Sequence, residues 1–261
     1  MQRRDKDNVA AVLAVVLLSG GDDTQKGPTE PPGQKISGAL GPVPLNHVTG
    51  RGNAVMHLDG RSLVAEIRTN GLLNGAAHAL HIHAGQKGVC PPASAAGVHN
   101  GHRAIATHDG GPFYGGPVVA LTTRGKTAPT TYNIVAFKRY PTAGNIHYKR
   151  TIRVDGVTAG YLKKNNAVVV VHGVDYNHNG AYDGSLDRSD LVPSLSGEST
   201  APALCGPIHV VKQAGKTTAQ AGGDVVLVAS LHPTSDSPAD PSPLPEYICH
   251  LGAATADARP A

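Results

Sequence analysis

The residues with the clearest capacity for chemistry are histidines. The chain carries 14 of them in 261 residues, and imidazole is the commonest protein ligand for transition metals. The sharpest grouping is His78-Ala-Leu-His81-Ile-His83. On a strand, successive side chains alternate between faces, so His81 and His83 share one face and His78 turns to the other. Two imidazoles two residues apart are spaced to chelate one ion, and this ligand type suits copper and zinc. A second piece is Val168-Val-Val-Val-His172-Gly173, where a histidine closes an apolar β-branched run and so stands at the rim of a sheet. Alone, a histidine there is more often a satisfied core or edge residue than a ligand.

A different chemistry follows directly. Asp175-Tyr-Asn177-His-Asn179-Gly180-Ala-Tyr-Asp183 places oxygen-bearing side chains at alternate positions before a glycine that permits a sharp turn. Asp175, Asn177, Asn179 and Asp183 are therefore candidate calcium ligands. The twelfth position of the loop is Leu186, where a calcium-binding EF-hand carries glutamate. An Asx-rich turn with no ion has the same sequence.

These residues need a scaffold. Gly (32) and Pro (20) are abundant and aromatic residues scarce, with no Trp, a balance that suits an all-β domain with many turns. The net charge of +4 and the pI near 9.0 are mildly basic. No dense Lys/Arg run or basic-aromatic interleaving appears, which argues against a nucleic-acid partner. Residues 1–21 read as an export signal: Arg3 and Arg4, then the ten apolar residues of 9–18, then Ser19-Gly20-Gly21. Ten apolar residues are too few for a membrane-spanning helix, so the expected location is secreted or extracytoplasmic. In an oxidising compartment two of Cys90, Cys205 and Cys249 can pair, and three pairings are open.

Residues 22–46 read as a flexible linker, polar and rich in Gly and Pro. From 47 the pattern changes. Two alternating runs flank Asp59-Gly60 and predict a hairpin. Further short strands are expected at 78–83, 118–123, 132–137, 146–154 and 166–173, with a helical turn within 158–166. Many short strands separated by turn signals predict a β-sandwich or barrel over 47–211. Residues 212–261 read as an extension with one strand, near 224–233, and a Pro/Ser/Asp-rich segment.

The ordered motifs resemble a known family. Gly71-Leu-Leu-Asn-Gly75-Ala-Ala-His78-Ala-Leu-His81-Ile-His83 is similar to the copper-binding signature of copper/zinc superoxide dismutases, with one extra residue before His78. Val171-His172-Gly173 resembles the strand with the family's last copper ligand, and Leu204-Cys205-Gly206-Pro-Ile208 its final strand. The resemblance covers about 165 residues and implies a Greek-key β-sandwich or barrel with long loops, a Cys90–Cys205 disulfide, and copper on His81, His83, His172 and a fourth, bridging histidine. For that fourth place Gly97-Val98-His99 fits best and His102 competes. It further implies disproportionation of superoxide, a small anion, to oxygen and peroxide, with His99 as the catalytic proton carrier.

The family's zinc site finds candidates for a second metal in His102, His108 and Asp109, but at other spacings, so the resemblance does not extend to zinc. The position of the family's superoxide-guiding Arg, three before the last Cys, is Pro202. Secreted domains of the chordin-repeat kind also carry a His-x-His strand. The alternative reading is thus a non-catalytic secreted β-domain that binds copper or calcium.

Overall fold

The structure, a computed structural model, describes residues 30–129 and 137–212. The expected signal, the extension strand near 224–233, Cys249, and all but Phe137 of the strand expected over 132–137 lie outside these residues. Ten strands run through the described residues: β1 (Gln34–Pro42), β2 (Arg51–Asp59), β3 (Ser62–Asn70), β4 (Leu80–Ala84), β5 (Gly97–His99), β6 (His102–Ala104), β7 (Gly116–Ala120), β8 (Ile146–Arg153), β9 (Ala167–His172) and β10 (Pro202–Val210). Helices α1 (Thr107–Tyr114), α2 (Gly156–Lys163) and α3 (Gly197–Thr200) lie between them.

Eight strands form one antiparallel sheet in the order β7-β4-β9-β10-β1-β2-β3-β8, and β5 pairs with β6 apart from it. Ile36, Met56, Ile67, Ile82, Val119, Ile152, Val171 and Leu204, spread over all eight strands, belong to one buried cluster. A sheet whose two edges share a core must curl around it, and each such side chain contributes ~1.5–3 kcal/mol by leaving water. The open seam between the edge strands is spanned by Arg150 of β8. Its guanidinium donates to Thr122 O at 2.8 Å and to Gly125 O at 2.6 Å, just beyond β7.

Two expectations change. The linker 22–46 is not linker throughout, because β1 lies inside it, paired with both β2 and β10. Gly38 is there for close packing: a Cβ on it would stand 2.1 Å from Pro207 O. The β2–β3 hairpin is present, but Asp59 pairs with Ser62, so the turn is Gly60-Arg61. Only Gly60, at φ +57°, takes the left-handed region there. The helical turn expected within 158–166 falls in α2. Asp155 caps it by accepting from Thr158 N at 2.6 Å, and Ala159 and Leu162 bury against the core.

β9 is buried on both faces. Val169 and Val171 face the sheet's core, while Val168 and Val170 pack with Ile105, Tyr114 and Cys205. The long connection from β4 to β7 supplies that outer cover. It is fastened twice. Cys90 forms a disulfide with Cys205 of β10, across 115 residues of chain. Buried Asn46 donates to Ile105 O (2.9 Å) and Pro202 O (2.8 Å) and accepts from Ile105 N (2.8 Å), so one fully satisfied amide joins three segments.

Candidate metal centre

His81 and His83 lie on β4, and β4 pairs antiparallel with β9 in a register that sets His81 against Val170 and His83 against Val168. Leu80 and Ile82, the alternate residues, point into the core. The two histidines therefore face the outer cover, as does His172 at the end of β9, two residues beyond Val170. All three are buried, and one ligand atom from each lies within 4.8 Å of the others. Nε2 of His83 and Nε2 of His172 are 3.4 Å apart. Two nitrogens bound to one ion at ~2.0–2.1 Å and tetrahedral angles would be separated by about 3.3–3.4 Å.

The outer nitrogens are held in matching ways. His83 Nδ1 stands 2.8 Å from Gly115 O, and His172 Nδ1 stands 2.6 Å from Thr200 O. Gly115 is the C-cap of α1 and Thr200 the last residue of α3. Helix ends leave carbonyls without an intrahelical partner, and here two of them accept imidazole N–H. With Nδ1–H donating, each ring keeps its Nε2 lone pair for a metal, and the acceptor raises its basicity. His81 Nε2 stands 2.7 Å from Tyr140 Oη. In the tautomer where Nε2–H donates to that hydroxyl, His81 meets a metal through Nδ1.

The site favours neutral imidazole. Burial, then the neighbouring rings of His172 and His83, hold His81 well below the usual histidine range. Burial with the His172 ring lowers His83 to about 3, and burial lowers His172 to about 4 against the opposing pull of Thr200 O and Asp190. Neutral rings at physiological pH are what a metal requires. The donor set of three buried imidazoles, two of them with Nδ1–H held by carbonyl oxygens, fits a copper or zinc ion.

A cavity of about 280 Å³ adjoins the three rings. Its other lining is largely apolar and includes Tyr114, Phe137, Tyr140, Leu191, Val192 and Leu195; no Lys, Arg, Asp or Glu among the described residues lines it. The Asp190 carboxylate accepts from the backbone N of His108, a lining residue, at 2.7 Å.

The remaining sequence candidates fall elsewhere. His99 is outside the three-histidine group. The β5–β6 hairpin and the Asp109 carboxylate hold it, with Nε2 to Oδ2 2.7 Å, so the expected fourth ligand is not brought to the others. His102 packs against the Tyr176 ring, with centroids 5.2 Å apart. His108 Nδ1 lies 3.7 Å from Asp190. His102, His108 and Asp109 therefore each keep a different company, and no second group of three such donors forms among the described residues. His78 turns away from the centre, as strand alternation predicts. Its Nε2 is 2.8 Å from Leu73 O and its Nδ1 3.1 Å from Tyr182 Oη.

The Asp175–Asp183 segment folds as an Asx-rich turn. Asp175 accepts from Asn179 N and Gly180 N, Asn179 Oδ1 accepts from Ala181 N, and Asp183 accepts from the side-chain amides of Asn177 and Asn179. Buried Glu198 backs it, accepting from Tyr176 N at 2.8 Å and Asp183 N at 2.6 Å. The side-chain oxygens are thus engaged by the segment's own donors.

Sequence reasoning missed Tyr140, Gly115 and Thr200. They lie 59, 32 and 28 residues from the imidazoles they meet, and no local motif marks them. Neither a scan of protein-family models nor a search of curated proteins finds a match for this chain.

Proposed function

We propose that this chain is an exported copper protein of the copper/zinc superoxide dismutase type, with a Greek-key β-domain that binds one ion through His81, His83 and His172 and disproportionates superoxide. The observation that carries the reading is the convergence of three buried imidazoles whose outer nitrogens meet Gly115 O, Thr200 O and Tyr140 Oη. Copper, when bound, would take an electron from one superoxide to release oxygen and give it to a second, which leaves as peroxide after gaining two protons. The protein's part is to hold two Nε2 atoms and one Nδ1 in place before the ion arrives, so that binding needs little reorganisation. The Cys90–Cys205 disulfide fits export to an oxidising compartment, and no helix among the described residues is long and apolar enough to cross a membrane.

One observation favours a second reading, a copper-holding domain without dismutation. Pro202 occupies the place of the guiding Arg, and no cation among the described residues lines the cavity beside the three rings. An anion approaching the ion would gain nothing from local charge.

Copper titration of the full chain, with His83→Gln as control, tests the centre. One equivalent should bind, and the variant should bind at least ~100-fold more weakly. Stoichiometric zinc in the protein as purified would overturn the copper assignment. Superoxide consumption by the loaded protein separates the two readings, since bound copper without a copper-dependent rate leaves only the second.

A further inference from the structure

The cavity beside the imidazoles offers no Lys or Arg to an anion among the described residues, and its lining has a coherent chemistry for a larger, uncharged ligand. Its volume of about 280 Å³ is near the lower end of small-molecule sites, room for one or two fused rings. Its apolar walls come from separate parts of the chain. Tyr114 ends α1, Phe137 and Tyr140 precede β8, and Leu191, Val192 and Leu195 belong to the segment before α3. Aromatic rings and branched aliphatic chains together suit a flat apolar body. The three imidazoles and the Tyr140 hydroxyl supply hydrogen-bonding groups along the same lining, so a ligand with one polar edge is better matched than a plain hydrocarbon.

Charge narrows the class. No Lys or Arg among the described residues lines the cavity. Lys87, one residue past the lining residue Gln86, lies over the Phe113 ring at 4.6 Å. The carboxylate of Asp190 instead sits against the backbone of His108 at the lining. A carboxylate ligand would find no Lys or Arg to pair with there, only the side chains of Gln86, Thr107 and His108, beside that acidic group. We infer that the cavity binds an uncharged hydroxylated aromatic molecule of the phenol or naphthol class, its rings among Tyr114, Phe137, Leu191, Val192 and Leu195 and its hydroxyl toward the imidazoles. The inference goes beyond the copper reading and does not need a bound ion: the apolar walls are made by residues other than the three histidines, which enter only as partners of the hydroxyl.

The test uses the full chain, treated with a chelator, and the probes 1-naphthol and 1-naphthoate near neutral pH. The chain has no Trp, so naphthol fluorescence can be followed in it without an indole background, and binding to the Trp-bearing variant is read by calorimetry. Naphthol should bind saturably and naphthoate about tenfold or more weakly, the cost of burying an unpaired carboxylate. Val192→Trp, which fills the cavity, should weaken naphthol about tenfold or more. Leu191→Lys, a change at a side chain 43% exposed and so tolerant of charge, should shift the preference toward naphthoate. Equal binding of the two probes by the unaltered chain, or naphthol affinity unmoved in a folded Val192→Trp variant, would overturn the inference. Copper titration of the same preparations keeps the two readings apart. Failed naphthol binding with copper retained sinks only the cavity ligand, and failed copper binding with naphthol retained sinks only the metal.

Discussion

His83 Nδ1 lies 2.8 Å from the carbonyl oxygen of Gly115, the residue that ends helix α1. This contact couples the strand that carries two candidate ligands to the loop that covers them. Gly115 has φ +85°, and a Cβ there would stand 2.0 Å from Ala84 O, a backbone atom of the same strand. No side chain fits without moving α1 away from β4. Gly115→Ala should therefore release the ring of His83 and lower copper affinity ~10–100-fold, the usual cost of losing a partner behind a ligand. It should also destabilise the fold by about 1–3 kcal/mol through strain. Copper titration and chemical denaturation of the variant measure both, and an unchanged affinity would show that the contact does not orient the ligand.

Tyr140 offers a cleaner separation of positioning from packing. Its hydroxyl is 2.7 Å from His81 Nε2, and its ring stands edge-on to the His81 ring, with centroids 5.4 Å apart. Tyr140→Phe keeps the ring and removes only the oxygen. Copper affinity should fall about tenfold, and the visible and electron paramagnetic spectra of the bound ion should shift as the tautomer of His81 loses its support. Thermal stability should move little by comparison. Identical spectra in the variant would rule out a role for this hydroxyl.

The contrast between these partners and the histidines shows what was legible in the sequence. Strand alternation separates His81 and His83 from His78, and the valine run marks β9 as buried, because both depend on neighbours in the chain. The structure places these three histidines and the buried strand as read. β1 was not legible, since Gly38 and Pro42 look like linker residues. Their meaning comes from β10, whose Pro207 O leaves no room for a side chain at Gly38. His99 stands outside the three-histidine group for a related reason. Its place after Cys90 suggested a ligand, but Asp109, ten residues on, takes its Nε2. Gly115 and Thr200 matter through their backbone carbonyls, which no residue type can announce.

The metal-free protein should lose stability as pH falls from about 6.5 toward 4. Burial lowers His83 to about 3 and His172 to about 4, whereas in the unfolded chain each returns to about 6.5. Within that window the unfolded chain binds protons that the folded chain does not, so acid favours unfolding. The contribution is fully present above 6.5, falls through the window, and changes no further below the folded values. Its size is on the order of 2 kcal/mol per ring by pH 4.5. Urea midpoints in the presence of a chelator, at pH 7.5 and 4.5, should show a smaller drop for His83→Gln than for the unaltered chain. Equal drops would mean that these rings protonate freely in the folded state.

The disulfide should support both the fold and the metal centre. Cys90 and Cys205 are separated by 115 residues, and closing a loop of that length removes chain entropy worth up to about 4–5 kcal/mol, with ~2–4 typical in practice. The bridge also fastens the β4–β7 connection, which carries Tyr114 and Gly115, to β10. Cutting it acts on the unfolded chain by freeing it and on the folded chain by loosening the cover over His83. A Cys90→Ala/Cys205→Ala variant should therefore melt roughly 5–15 °C lower. It should also bind copper more weakly at a temperature where it remains folded. Adding Gly115→Ala to this variant should cost less affinity than the same change in the intact protein, because both act through the His83–Gly115 contact. Strict additivity of the two losses would mean that the disulfide stabilises the fold without holding the loop against the ligand strand.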